Sequence, residues 1–355
     1  MVLVIVIMAS CAILVGISYL MLDIFSGLVV TPKTPVKESD KAGELILPLS
    51  GVKVISMQAS ADGRFLAYVK EGAAGGGMLL NVIEPDADNS ASFSLEVRGD
   101  SLAWLGDTLY LAYEDGGDIH LLSMEEGTTV DLTASGAFDT DPIPSPDGRY
   151  ILWTVGGESG GQGEAELWVM EADGSDQAVL AEFQDLPAWD PAGGKVVSRH
   201  GTTLTETGDS YRYILQTATP GGGGWEYYTE CDGEVRFIWW PLQDEVLYVS
   251  PESTSGEDGY RGVWSRVDPP AGLKKVASTD GLGFDQAYYR FYPARGEGRL
   301  AYVGEKGLEV MDYEERVIYG YPLLEAETPL AWDEANNELY FVGPEGIYRV
   351  SLEGG

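Results

Sequence analysis

Residues 150–155 alternate so that Tyr150, Leu152 and Thr154 point to one face while Ile151, Trp153 and Val155 point to the other, and both faces are largely apolar. A strand of this kind is sandwiched between two neighbours rather than half-exposed. It follows Ser145-Pro146-Asp147-Gly148, a turn in which Pro146 presets φ at the first corner, Asp147 bonds local backbone and Gly148 accepts positive φ. Leu167-Trp168-Val169-Met170 predicts a second strand, and Asp173-Gly174 turns the chain into a third at Ala178-Val179-Leu180. The unit is an antiparallel meander of roughly 40 residues.

The apolar-turn-apolar pattern recurs from Glu44 to the carboxyl end. Its turns centre near residues 62, 106, 147, 193, 244, 297 and 337, roughly 40 to 53 residues apart. Ser60-Ala61-Asp62-Gly63-Arg64 is a near copy of the 145–149 turn. An aromatic residue precedes most turns, at Trp104, Trp189, Trp240, Tyr292 and Trp332. Large rings at a fixed place in a repeat are expected to be wedges between adjacent units. Seven repeats of this length predict an all-β, seven-bladed β-propeller, with a six-bladed ring as the alternative if the second or fourth unit is overcounted. The last unit reaches only three strands, and residues 44–49, Glu-Leu-Ile-Leu-Pro-Leu, are expected to supply its fourth. That pairing would close the ring and remove an exposed edge.

Pro-x-x-Ser-Pro-Asp-Gly-Arg, an apolar strand and then Leu-Trp-Val-Met-x-x-Asp-Gly-Ser resembles the blade signature of TolB-type (PD40, WD40-like) β-propellers. The match is close over residues 141–180 and degenerate elsewhere. The resemblance implies a propeller fold, and many such propellers work outside the cytoplasm. It does not hand over a function.

Ahead of the repeats, residues 2–22 form a run of about 20 uncharged, mostly apolar residues, long enough to cross a bilayer as a helix. The expected organisation is a transmembrane anchor at 1–30, a linker at 31–43 and the propeller at 44–355. A cleaved signal peptide fits less well, because no basic region precedes the run and no small-x-small site follows it. Lys33, Lys37 and Lys41 would keep the propeller in the cytoplasm by the positive-inside rule. The family resemblance points the other way, and an extracytoplasmic propeller is the reading adopted.

The formal charge of −35, from 57 acidic and 22 basic residues, argues against a nucleic-acid partner, which needs a basic patch. With only Cys11 and Cys231 present, and Cys11 inside the apolar run, no internal disulfide is expected. His120 and His200 are the only histidines, the first in a predicted strand and the second following the strand of the fourth unit. Gly157-Glu158-Ser159-Gly160-Gly161 matches a nucleophile elbow in letters, but Ser159 falls in a glycine-rich loop between two strands and not between a strand and a helix. No catalytic or cofactor-binding residue is named, and the expectation is that the protein is not an enzyme. Asp139, Asp141 and Asp147 are the candidate metal ligands, and Ca²⁺ is the ion such oxygen groups would take. Their spacing is not that of a calcium loop.

What remains is binding. Adjacent aromatic pairs cannot both enter one face of a strand, so one of each pair is free for a partner. Tyr228, Trp239, Tyr260 and Tyr288 are the partner-binding candidates. The sequence therefore reads as a membrane-anchored interaction or scaffold subunit, held by residues 2–22 and docking a protein partner. A surface filament with the amino-terminal helix in its core, and a hydrolase or lyase using the propeller channel, are the alternatives.

Overall fold

The computed structural model describes residues 36–353 apart from 50, 73–76, 88–90, 135, 157–165, 183, 205–210, 223, 232–236, 243–244, 254–259, 269–271, 279–290, 296–297, 305–306 and 313–316. For several strand residues, among them 200–204, 260–268 and 272–278, only the backbone is described. The expected anchor at 1–30, with Cys11, and the residue Ser159 lie outside the described residues. No helix among the described residues is long and apolar enough to cross a membrane.

The chain is an all-β propeller. Sheet one runs from Val54–Ala59 to Ala91–Val97, sheet two from Leu102–Trp104 to Thr128–Asp131, and sheet three from Phe138–Pro144 to Ala178–Glu182. Sheet four runs from Gln184–Trp189 to Glu226–Cys231, and sheet five from Phe237–Leu242 to Gly272–Ser278. Sheet six runs from Tyr292–Pro293 to Val317–Tyr321, and sheet seven from Glu327–Asp333 to Gly346–Ser351. The predicted second and fourth units each form a sheet of their own. Among the described residues, six sheets have four strands and one, sheet six, has five.

The amino-terminal segment accounts for both additions. Glu44–Pro48 pairs antiparallel with Gly346–Ser351, as expected for the missing fourth strand. Val36–Glu38, inside the segment read as a linker, pairs in parallel with Val317–Tyr321 and becomes the fifth strand of sheet six. Short-range composition does not reveal this pairing, because its partner lies some 280 residues away. Between the two strands, Ser39 N donates to Gly320 O at 2.8 Å and Lys41 Nζ to Leu352 O at 2.9 Å. Arg349, on the last strand, reaches Glu44 at 2.9 Å, Asp86 of sheet one at 2.6 Å and Glu338 at 3.3 Å.

The recurring turn works through its side chains. Ser145 Oγ donates to Asp147 Oδ1 at 2.6 Å and accepts from Tyr150 N at 3.0 Å, while Asp147 Oδ1 also accepts from Arg149 N at 3.1 Å. Ser60, Asp62, Arg64 and Phe65 repeat these bonds at the same lengths. Gly63 and Gly148 both sit at φ 71°, the left-handed region that a glycine enters at no steric cost.

Each sheet buries both faces, and the two faces enter different cores. Ile151 and Trp153 pack with Leu105, Ala112, Ile119 and Leu132 of sheet two. Leu152, between them in sequence, packs with Trp189 and Val196 of sheet four. Corresponding cores join sheets seven and one, one and two, four and five, and six and seven. Between sheets five and six, Phe237 and Phe291 lie 4.9 Å apart between ring centroids, and Phe291 meets Tyr302 edge-on at 5.8 Å. The aromatic wedges also bond across the seams. Trp104 Nε1 donates to Gln58 O at 3.1 Å, Trp189 Nε1 to Ile143 O at 2.9 Å and Trp332 Nε1 to Tyr292 O at 2.7 Å. In each case an innermost strand is tied to the innermost strand of the preceding sheet, and the buried N–H is satisfied at the same time.

Candidate functional site

The first strand of every sheet faces a central cavity of about 700 Å³. Pro142, Pro144, Pro187, Pro293 and Pro329 lie along these inner strands. Proline is tolerated there because an innermost strand is an edge whose outward N–H has no ladder partner. The remaining wall mixes aromatic rings, among them Trp104, Trp239, Trp332, Phe237 and Phe291, with aliphatic residues and the polar Ser56, Gln58, Ser60 and Ser145.

Of the described residues lining the cavity, Arg295 and Glu334 are the charged ones. Both occupy the first corner of the turn after an inner strand, where other sheets carry Ala61, Gly106, Pro146 and Pro191. Bonds that close the hairpins fix this equivalence: Ala294 N donates to Arg299 O as Ser145 N does to Tyr150 O and Leu105 N to Tyr110 O. From its corner Arg295 crosses the mouth of the cavity. Nη1 donates to Gly106 O and Nη2 to Trp104 O, both at 2.8 Å, so sheet six is joined to sheet two on the far side of the ring. The backbone N of Arg295 donates to Glu334 Oε1. Burial lowers the guanidinium's pKa from its ordinary value, and the charges of Glu334 and Asp107 oppose that shift. Sequence reading missed Arg295; the available signal was a charged residue, as at Glu334, in a corner where sheets one to four place alanine, glycine or proline.

The predicted partner-binding residues are dispersed. Trp239 is buried at 4% exposure in the cavity wall, with Trp240 buried beside it at 8%, so neither of that pair is free. An inner strand packs one residue on the seam and presents the next to the cavity, which hides both. Tyr228 is half-buried against Trp240, with ring centroids 6.3 Å apart, and its neighbour Tyr227 is the exposed member at 62%. Tyr260 begins the strand Tyr260–Asp268, but its side chain, like Tyr288 as a whole, lies outside the described residues.

Asp139, Asp141 and Asp147 do not form one site. Asp139 is buried and accepts from Trp153 Nε1 at 3.0 Å; Asp141, at φ 53°, accepts from Ser101 Oγ at 2.9 Å; Asp147 belongs to the turn at the other end of the hairpin. Among the described residues no group of three His, Cys, Asp or Glu side chains could hold a metal ion. His120 stacks on Tyr113 at 5.3 Å and pairs through Nδ1 with Asp131 at 2.7 Å, away from the central cavity. His200 pairs across the ladder with Gln184, and Cys231 with Tyr213.

A second concavity of about 420 Å³ lies between sheets three and four, lined by Val169, Val179, Leu180, Pro220 and the glycines 221, 222 and 224. Trp225 Nε1 donates to Leu180 O at 2.6 Å, which points that face of the outer strand of sheet four at sheet three. Tyr227 follows two residues later, within the outer strand Glu226–Cys231.

The architecture and its cavities define a β-propeller. Among solved structures, the chain is similar to an oligogalacturonate lyase from Vibrio parahaemolyticus, at 10% identity and a TM-score of 0.63, over 89% of this chain and 98% of the lyase. It is similar to the propeller domain of the Trilobed protease from Pyrococcus furiosus, at 11% identity and a TM-score of 0.60, over 85% of this chain and 94% of that domain. An acylaminoacyl peptidase matches at 12% identity and a TM-score of 0.60, over 85% of this chain and 51% of the peptidase. No protein-family model matches the sequence, and no curated protein sequence does either. At these identities the likeness is of fold alone. It nevertheless corrects the expectation that the protein is not an enzyme, since the same fold is found in a lyase and in peptidases. The Pyrococcus domain has an open velcro topology, whereas the ring here is fastened by Glu44–Pro48.

Proposed function

We propose that the chain is a seven-bladed propeller that binds a protein partner at the groove between its third and fourth sheets. In this reading each sheet is one blade, which the presence of an inner strand from every sheet on the central cavity supports. Residues 2–22 tether it to a membrane, with the propeller on the extracytoplasmic side.

The observation that carries the docking reading is Tyr227. An aromatic ring 62% exposed, two residues after Trp225 and near a mixed polar and apolar concavity in which Val179 is 44% exposed, is the type of anchor around which protein interfaces form. Glu171 and Asp176 line the groove and Glu226 is exposed next to Tyr227, within a chain of net charge −35. The partner segment is therefore basic with an apolar anchor, and charge complementarity raises its rate of encounter.

A photo-crosslinking residue at position 227 in the full chain, in its native membrane, tests this reading. The expected result is a discrete crosslinked partner that is lost with Val179→Asp and is not obtained from position 110, an exposed tyrosine on sheet two. The same products from both positions, or none from 227, would overturn it. Protease accessibility of the propeller in sealed vesicles tests the sidedness.

A further inference from the structure

We infer that the central cavity is a binding site for a small aromatic carboxylate, its ring held against the aromatic wall and its carboxylate by Arg295. This site is separate from the groove at Tyr227 and does not depend on it.

Size and wall chemistry come first. About 700 Å³ falls within the range of small-molecule pockets. Trp239, Phe237, Phe291 and Trp332 offer ring faces and edges, and the prolines of the inner strands remove backbone N–H groups that would otherwise line the cavity. Ser56, Gln58, Ser60 and Ser145 also line the cavity, but the three serine hydroxyls already donate to Asp100 O, Asp62 and Asp147. Against this wall the Arg295 guanidinium is a concentrated donor group.

A guanidinium has five N–H groups in a planar fork. Arg295 uses one on Nη1 and one on Nη2 for the carbonyls of Gly106 and Trp104. Those bonds fix the plane across the mouth and leave the Nε edge, which with an adjacent Nη can take both oxygens of a carboxylate. The charges of Glu334 and Asp107 already act on the guanidinium, so an entering carboxylate competes with them and depends on the direct N–H contacts. Glu334 accepts from the backbone N of Arg295, while the guanidinium itself is bonded to neutral carbonyls. A partly buried cation held in this way is stabilised by an incoming carboxylate, since Coulomb attraction counts for more where water is excluded. The net charge of −35 opposes the approach of any anion from a distance, but salt screens that repulsion more than it screens the contact at Arg295.

Phenylacetate and its uncharged amide, phenylacetamide, are the probes, titrated into the full chain with tryptophan fluorescence and saturation-transfer NMR as readouts. Phenylacetate is expected to bind saturably and at least tenfold more tightly than phenylacetamide. Arg295→Gln should bring the two to equal affinity. Equal binding of acid and amide to the native protein, or no binding of the acid, would overturn the inference. Should Arg295→Gln fail to fold, Glu334→Gln keeps the acceptor for the Arg295 backbone N and removes the nearby negative charge. It should tighten phenylacetate several-fold and leave phenylacetamide unchanged, and an unchanged phenylacetate affinity would count against the site.

Discussion

Arg349 holds Glu44 at 2.9 Å, joining the last strand of the propeller to the amino-terminal strand that completes its sheet. The same guanidinium reaches Asp86 in sheet one, so one side chain spans the seam at which the ring is fastened. Its own exposure is 16%, which gives the contact more weight than a surface ion pair. Arg349→Ala is expected to cost about 2 kcal/mol, seen as a lower urea midpoint together with faster proteolysis ahead of residue 48. Arg349→Lys should recover less than half of the loss, because a single ammonium cannot fork to three carboxylates.

Two glycine substitutions separate backbone strain from steric ejection. Gly148→Ala places a Cβ in ordinary contact, with Gly106 Cα the nearest atom at 3.6 Å, so its cost is the left-handed φ alone, about 1 kcal/mol. At Gly346, φ is 151° and a Cβ would run into the carbonyl of Leu47 and lie 2.7 Å from Leu49 N. Gly346→Ala should therefore displace Glu44–Pro48 from the sheet. Hydrogen exchange at residues 44–48 should rise by orders of magnitude in Gly346→Ala and stay near native in Gly148→Ala.

The indole wedges predict a graded series. Trp189→Phe removes a neutral hydrogen bond to Ile143 O and should cost about 1 kcal/mol beyond the small change in packing. Trp153→Phe removes a donor to the buried carboxylate of Asp139, and charge-assisted bonds are worth about 1.5–3 kcal/mol. Chemical denaturation should rank Trp153→Phe as the more damaging. The reverse order would mean that ring packing, not the N–H, governs the seams.

Glu114 gives the fold a pH dependence near neutrality. Burial, then Asp141 and Asp100, push its carboxyl up to about 7, with the Ser101 hydroxyl opposing and Asp115 adding a smaller push. Because the folded-state pKa is above the unfolded one, the stabilising contribution is complete below about pH 4.5 and is lost as pH rises through about 7. Screening at a half-exposed site reduces the effect to about 1–2 kcal/mol. Melting temperature should fall between pH 5 and 8 in the native protein, and Glu114→Gln should flatten that part of the profile. An equal slope in both proteins would assign the pH dependence to the overall negative charge.

The repeating hairpin was legible along the chain because its causes are local. Ser145, Asp147 and Gly148 make a turn among themselves, Ser60, Asp62 and Gly63 make it again, and alternation at residues 150–155 already requires apolar neighbours on both sides. From these follow the strands, the propeller and the need for residues 44–49 to complete the last sheet. Tertiary structure decided what depends on residues far apart in sequence. Arg295 meets the carbonyls of Trp104 and Gly106 only because ring closure brings sheet six opposite sheet two. Tyr227 is exposed while Tyr228 is covered, and Trp239 faces a cavity that exists only once the sheets surround it. A turn is set by bonds a few residues long, but the choice of which side chain is buried, crosses the ring or meets solvent is made by packing between sheets.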